Sequence, residues 1–196
     1  MELLVNVFAL DRLDRLIEKH HLVRDEENMA MKTQGALISM SPKTGHVVAM
    51  VGGRSFVTNN QLNRVFAQRQ PGSSFKALVY GAAFQNGLTP ATVMEDKMLR
   101  YGRWSVHSAT HRYYGPVTLR EAIKNSVNSV AVQGVRHIGP KAVVKFAAPM
   151  LGIREERLKA DMSIGLGTSE VSPWEMCRAF SVYANKGKEV IPMPIL

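Results

Sequence analysis

Ser73-Ser-Phe-Lys76 follows Arg69-Gln-Pro-Gly72, and Ser126-Val-Asn128 comes later in the chain. A serine and a lysine three residues apart on a helix share one face, so the amine can reach the hydroxyl. A buried lysine loses hydration, its pKa falls, and the neutral amine becomes a base near neutral pH. The Pro71-Gly72 break predicts that a helix starts at Ser73, and a helix N-terminus stabilises negative charge developing beside it. Those residue types at that spacing could form a covalent acyl-serine. Ser126 would add a second hydroxyl and Asn128 a carboxamide beside it.

Neither motif is decisive alone. An S-x-x-K pattern arises about once by chance in a chain of this length, and taken singly it would serve as a helix cap with a solvated lysine. Lys124, Asn125, Ser126 and Asn128 alone would make an ordinary polar helix surface. Their combination carries the argument. Lys43-Thr44-Gly45 reads as turn chemistry. His107 and His111 are four apart and His20 and His21 are adjacent, but no Glu or Cys stands near them at zincin or zinc-finger spacing. The reading is therefore of no metal and no cofactor.

The elements that must position these residues follow from periodicity. Residues Val7 to His21 predict an amphipathic helix, with Phe8, Leu10, Leu13, Leu16 and Ile17 on one side. Arg24 to Asn28 reads as a linker. Gly35 to Met40 and His46 to Val51 predict a hairpin of two buried strands joined at Pro42-Lys-Thr-Gly45. Ser55 to Gln70 lacks periodicity. Ser73 to Asn86 predicts a helix with Phe75, Leu78, Val79, Ala82 and Ala83 inward and Gly87 at its C-terminal end. A second irregular stretch is expected up to Gly115. Thr118-Leu-Arg-Glu121 is a capping box opening another helix. Lys141 to Leu151 is the next, with Pro149 marking its strained end, and Ser172-Pro-Trp-Glu175 caps a last helix that ends at Gly187. Strands followed by helices give an α+β class, with helices packed on an antiparallel sheet.

Composition narrows the function classes. The 196 residues are 45% hydrophobic and 21% charged, enough to bury a core, and carry a net charge of +9. Basic residues are scattered and no nucleic-acid motif occurs, so a nucleic-acid partner is not expected. The single Cys177 forms no internal disulfide and reads as a small buried hydrophobe. No apolar run approaches the ~18 residues that span a bilayer.

Over about Gln34 to Pro194 the chain resembles the transpeptidase domain of bifunctional, class A penicillin-binding proteins. Gln34-Gly-Ala-Leu-Ile with Pro42-Lys-Thr-Gly45 and Val48-Ala-Met-Val-Gly-Gly53 is similar to the family's opening hairpin. Asn63-Arg64 followed by Arg69-Gln-Pro-Gly-Ser-Ser-Phe-Lys76 is close to its active-site signature. Tyr114-Gly-Pro-Val-Thr-Leu-Arg-Glu-Ala122 leads to Ser126-Val-Asn128 as in its second motif. Leu166-Gly-Thr-Ser-Glu-Val-Ser-Pro173, Tyr183-Ala-Asn185 and Gly187 are similar to a later helical segment. Ala77 replaces the family's usual proline, and no Lys-Thr-Gly follows Ser126, although the family places a third motif there.

The resemblance implies a penicillin-binding-protein and serine β-lactamase-like fold, here its N-terminal part over residues 33–196. A helical linker segment over residues 1–32 precedes it. It implies peptidoglycan D,D-transpeptidation at the extracytoplasmic face of a bacterial cell membrane, the periplasm in a Gram-negative. Ser73 would be the nucleophile, Lys76 the base, Ser126 the proton carrier to the leaving group, and Asn128 the substrate-amide ligand. The implied partners are peptidoglycan stem peptides, with β-lactams as covalent inhibitors and a membrane anchor supplied by a segment absent from these residues. Without the third motif, these residues alone are expected to be inactive or nearly so. The alternatives are a β-lactamase or sensor on the same fold, and an interaction domain without chemistry.

Overall fold

The computed structural model describes residues 34–58, 60–108 and 112–194; the expected helix over Val7 to His21 and its linker lie outside them. The chain forms two compact units. One comprises residues up to Gln68 together with Val171 onward, and the other Arg69–Glu170.

In the first unit, β1 (Leu37–Met40) and β2 (Val47–Val51) pair antiparallel, with Leu37 opposite Val51 and a register shift between Ser39 and Met40. The predicted hairpin is present, but its strands are not buried throughout. Met40 and Val47 are buried, whereas Val48 is 62% exposed. Gly45 closes the turn at φ 78°, and a Cβ there would fall 2.0 Å from the Ile191 carbonyl oxygen. Close backbone approach therefore explains the glycine of the Lys43-Thr44-Gly45 segment. Met193 N–H donates to the Gly45 carbonyl at 2.8 Å and Val47 N–H to that of Met193 at 2.9 Å.

The helix Pro173–Ala184 of this unit buries Met40, Val47 and Val190 together with Ile38, Trp174 and Cys177. Cys177 is half-buried, and loss of hydration raises its thiol pKa. The capping box forms in full, with Ser172 Oγ accepting from Glu175 N–H at 3.2 Å and the Glu175 carboxylate from Ser172 N–H at 2.8 Å. Arg178, nearly buried, donates to the Val190 carbonyl at 3.0 Å and to Glu189 at 2.6 Å, which fastens the segment beyond the helix. Trp174 packs on Phe66, ring centroids 5.1 Å apart, from the short 3-10 turn Arg64–Phe66.

In the second unit a 3-10 turn, Gly72–Phe75, leads directly into α1 (Lys76–Gln85). Phe75, Leu78, Val79, Ala82 and Ala83 are buried as their spacing predicts, and Tyr80 joins them. The stretch expected to be irregular instead holds β3 (Val93–Asp96), β4 (Leu99–Tyr101) and β5 (Trp104–Val106). Here β4 and β5 form a hairpin, and β3 pairs antiparallel with β6 (Gly115–Thr118). The helix opened by Thr118 is short. α2 (Leu119–Lys124) stops before Asn125, and α3 (Asn128–Ile138) restarts beyond Ser126. Only half of that capping box is seen: Thr118 accepts from Glu121 N–H at 3.2 Å, while the Glu121 carboxylate accepts from Asn125 at 3.4 Å. Next comes α4 (Pro140–Leu151), with Pro149 inside its final turn; α5 is the Pro173–Ala184 helix of the first unit. Tyr80, Leu119, Ala122, Val127, Val130 and Ala131 form a core that ties α1, α2 and α3 together.

Removing the Ser172 hydroxyl leaves an N-terminal donor of α5 unpaired. Ser172→Ala is expected to lower stability by about 1 kcal/mol, read as a lower urea midpoint at unchanged slope.

Candidate active site

Ser73 is the second residue of the Gly72–Phe75 turn and is exposed. The first N–H groups of a helical segment lack intrahelical partners and carry its positive end. Gly72 N–H is already used, donating to the Gly167 carbonyl at 3.2 Å. Gly167 sits at φ 70°, and a Cβ there would fall 2.1 Å from the Gly72 carbonyl oxygen. Two glycine backbones thus touch directly, and that contact fixes the turn carrying Ser73.

Lys76 opens α1 and is 2% exposed. Its ammonium donates to the Ser126 carbonyl at 2.6 Å, the Ser126 hydroxyl at 3.0 Å and the Asn128 Oδ1 at 2.6 Å. Burial pulls its pKa from 10.5 down to about 8. The three oxygens replace the water that burial removes, so the charged form is tolerated rather than expelled. The spacing predicted an amine reaching toward Ser73; in the structure the three bonds of that amine all go to the second motif.

Ser126 lies at φ 54°, a left-handed conformation uncommon outside glycine. It falls in the break between α2 and α3, where Val127 N–H returns to the Ala122 carbonyl at 2.9 Å. That reversal lets the carbonyl and hydroxyl of one residue face the same ammonium. Asn128 is oriented from its other end, since its Nδ2 donates to the His107 carbonyl at 3.2 Å and leaves Oδ1 for Lys76.

Sequence reasoning missed Asp96. It is 3% exposed and accepts from Ser129 Oγ at 2.5 Å and Tyr114 N–H at 2.9 Å. It thereby holds the first turn of α3, on which Asn128 sits. No spacing rule links residues 96 and 129; the only signal was an acidic residue at the end of a short apolar run. His107 contributes its carbonyl to Asn128 and its ring to Ser105, 2.8 Å away. Among the described residues no group of three or more His, Cys, Asp or Glu could hold a metal ion, and no helix is long and apolar enough to cross a membrane.

The family model of the penicillin-binding protein transpeptidase domain matches residues 35–195. The chain belongs to this family. It is 36% identical over 168 residues to penicillin-binding protein 1A of Pseudomonas aeruginosa, an alignment covering 83% of this chain and 20% of that protein. With penicillin-binding protein 1A of Neisseria meningitidis serogroup A it shares 38% identity over 164 residues, covering 80% of this chain and 20% of the relative. It therefore spans about one fifth of the length of these curated relatives. The crystal structure of penicillin-binding protein 1A from Haemophilus influenzae superposes with a TM-score of 0.76 at 30% identity, covering 82% of this chain and 25% of that one. The PonA1 protein from Mycobacterium tuberculosis, in complex with penicillin V, has the same fold, with a TM-score of 0.73 at 22% identity over 83% of this chain and 48% of that one.

The glycine contact generates a paired test within this transpeptidase domain. Gly167→Ala forces a left-handed alanine against the Gly72 backbone, and a cost above about 1–2 kcal/mol is expected. Gly134 lies inside α3 with open space around its Cβ position, so Gly134→Ala is expected to stabilise by about 0.5–1 kcal/mol. Chemical denaturation of both variants measures the contrast.

Proposed function

We propose that these residues carry the acyl-transfer site of a peptidoglycan D,D-transpeptidase acting at the outer face of a bacterial cell membrane. The observation that supports this best is the buried Lys76 ammonium, bonded to Ser126 and Asn128 one helical turn from Ser73. Its pKa of about 8 leaves roughly a tenth of it neutral at pH 7.

In that reading Lys76 takes the Ser73 proton as Oγ attacks the penultimate carbonyl of a stem peptide ending in D-Ala-D-Ala. The bond from that carbonyl carbon to the terminal D-Ala nitrogen breaks. Ser126, 3.0 Å from the Lys76 nitrogen, passes the proton to the departing amine. Asn128 holds the substrate amide. An amine from a neighbouring stem peptide then attacks the ester, forms the cross-link and returns Ser73 to its hydroxyl. A β-lactam acylates Ser73 in the same way and stays attached. No Lys-Thr-Gly follows Ser126 in this chain. The family draws a second oxyanion donor from that region, and losing one such donor costs on the order of 10²–10³ in rate. Acylation by these residues alone is therefore expected to be very slow.

Fluorescent penicillin labelling over long incubation, with mass spectrometry to locate the adduct, tests the assignment. A slow adduct on Ser73, absent in Ser73→Ala, is expected. Label elsewhere, or label that persists in Ser73→Ala, would falsify it, and rapid release of hydrolysed drug would make the chain a β-lactamase instead.

The lysine carries its own pH signature. Labelling is expected to rise with pH and level off above about 8 as the amine becomes neutral. Lys76→Arg cannot lose its proton and is expected to drop the rate by about 10²–10⁴. Stability moves in the same direction. Between about 8 and 10.5 the unfolded chain holds a proton at Lys76 that the folded chain has released, so stability rises with pH across that window.

A further inference from the structure

Asp96 ends β3 with its carboxylate almost wholly out of water. Such a group is costly to bury unless hydrogen bonds or an opposite charge meet it. Ser129 Oγ donates to one of its oxygens at 2.5 Å, and Tyr114 N–H donates to the other at 2.9 Å. Among the described residues no ion pair reaches it. Ser129 is itself buried and is the second residue of α3, whose N-terminal end favours a negative charge beside it. An anion kept inside the protein without a counter-ion, on a serine hydroxyl, is an expensive way to hold a helix unless the position of that turn matters.

The bond is made one residue from Asn128. The Asn128 carboxamide is used at both ends, Nδ2 donating to the His107 carbonyl at 3.2 Å and Oδ1 accepting from Lys76 at 2.6 Å. Both contacts require the first turn of α3 to stand at one place beside the strands. Gln133, one turn further on, donates to the Glu95 carbonyl at 2.8 Å and makes a second tie between β3 and α3. Of the two, only the Asp96 tie reaches the turn that carries Asn128. Burial lowers the Lys76 pKa to about 8, with no share from a neighbouring charge, so the Asp96 carboxylate can influence that amine only through contacts.

We infer that Asp96 is a positioning residue of the acyl-transfer site: through Ser129 it fixes the first turn of α3, so that Asn128 presents Oδ1 to Lys76. Loosening that turn weakens an acceptor that favours the charged amine, and the proton leaves Lys76 more readily. The functional meaning of this role rests on the acyl-transfer reading, whereas the geometry does not.

Carbon-13 NMR of the lysine side chains in the full 196-residue chain, titrated with pH, reads the amine directly, and Lys76→Arg identifies its signal by removing it. Asn128→Ala deletes the acceptor and is expected to lower the Lys76 midpoint by about one pH unit. Asp96→Asn keeps the shape and removes the charge, while Ser129→Ala keeps the charge and removes the bond. Both are expected to lower the midpoint by about half as much as Asn128→Ala. Ser172→Ala, which costs stability in the other unit, is expected to leave it unmoved. An unmoved midpoint in folded Ser129→Ala or in Asn128→Ala overturns the inference. So does a shift in Asp96→Asn alone, which would show the charge acting at a distance; if Asp96→Asn does not fold, Ser129→Ala decides by itself. Penicillin labelling of the same proteins reads the acyl-transfer reading separately: absence of an adduct on Ser73 would count against that reading and leave the lysine midpoints to judge the positioning role.

Discussion

The site depends on one act of burial: an ammonium group taken almost wholly out of water. An unpaired charge in that position would cost several kcal/mol, so the surrounding chain is arranged to supply oxygens. Ser126 provides two of them only because its backbone turns left-handed at a helix break, and Asn128 provides the third only because His107 holds the far side of its amide. Asp96 in turn holds the residue after Asn128. The chain between β3 and α3 is therefore organised around a single nitrogen atom. The tension between lost hydration, which favours the neutral amine, and three acceptors, which favour the charged one, sets its pKa within reach of physiological pH.

Ser73 is held by a different kind of contact. Two glycine backbones, Gly72 and Gly167, meet one hydrogen bond apart where the Gly72–Phe75 turn lies against the segment after Met162–Leu166. A backbone-to-backbone contact has no rotamer freedom, and the buried Phe75 side chain anchors the same turn. Lys76 is set by side-chain chemistry and the turn carrying Ser73 by main-chain contact, and that 3-10 turn runs directly into α1 at Lys76.

Much of this was legible in the sequence, for local reasons. The hairpin, α1 with its inward residues, and α5 with its proline and capping box are each specified within a few residues, and the structure forms them near where the letters place them, although α1 begins at Lys76 after a 3-10 turn rather than at Ser73. The strands β3, β4 and β5 were not legible. Val93-Met-Glu-Asp96 has no clean alternation, and it becomes a strand only because Gly115–Thr118 lies beside it. Residues 73, 76, 126 and 128 stood out through spacing and family likeness, and the structure joins the last three through hydrogen bonds. Their orientation was not readable. A positive φ at a serine and a carboxylate reaching from residue 96 to 129 are products of tertiary packing that no local pattern encodes.

The parallel contact between the Gly45 turn and Met193 has a kinetic consequence. The hairpin is finished early in the chain, yet Trp174, Cys177 and Val190, which cover its apolar side, arrive more than a hundred residues later. Arg69–Glu170, by contrast, is a compact unit continuous in sequence. As the chain emerges during synthesis, Met40 and Val47 wait uncovered while the inserted unit is made. Closing so long a loop is slow relative to local folding. The half of the chain that looks simplest in sequence is thus the one completed last, and the one most open to wrong partners while it waits.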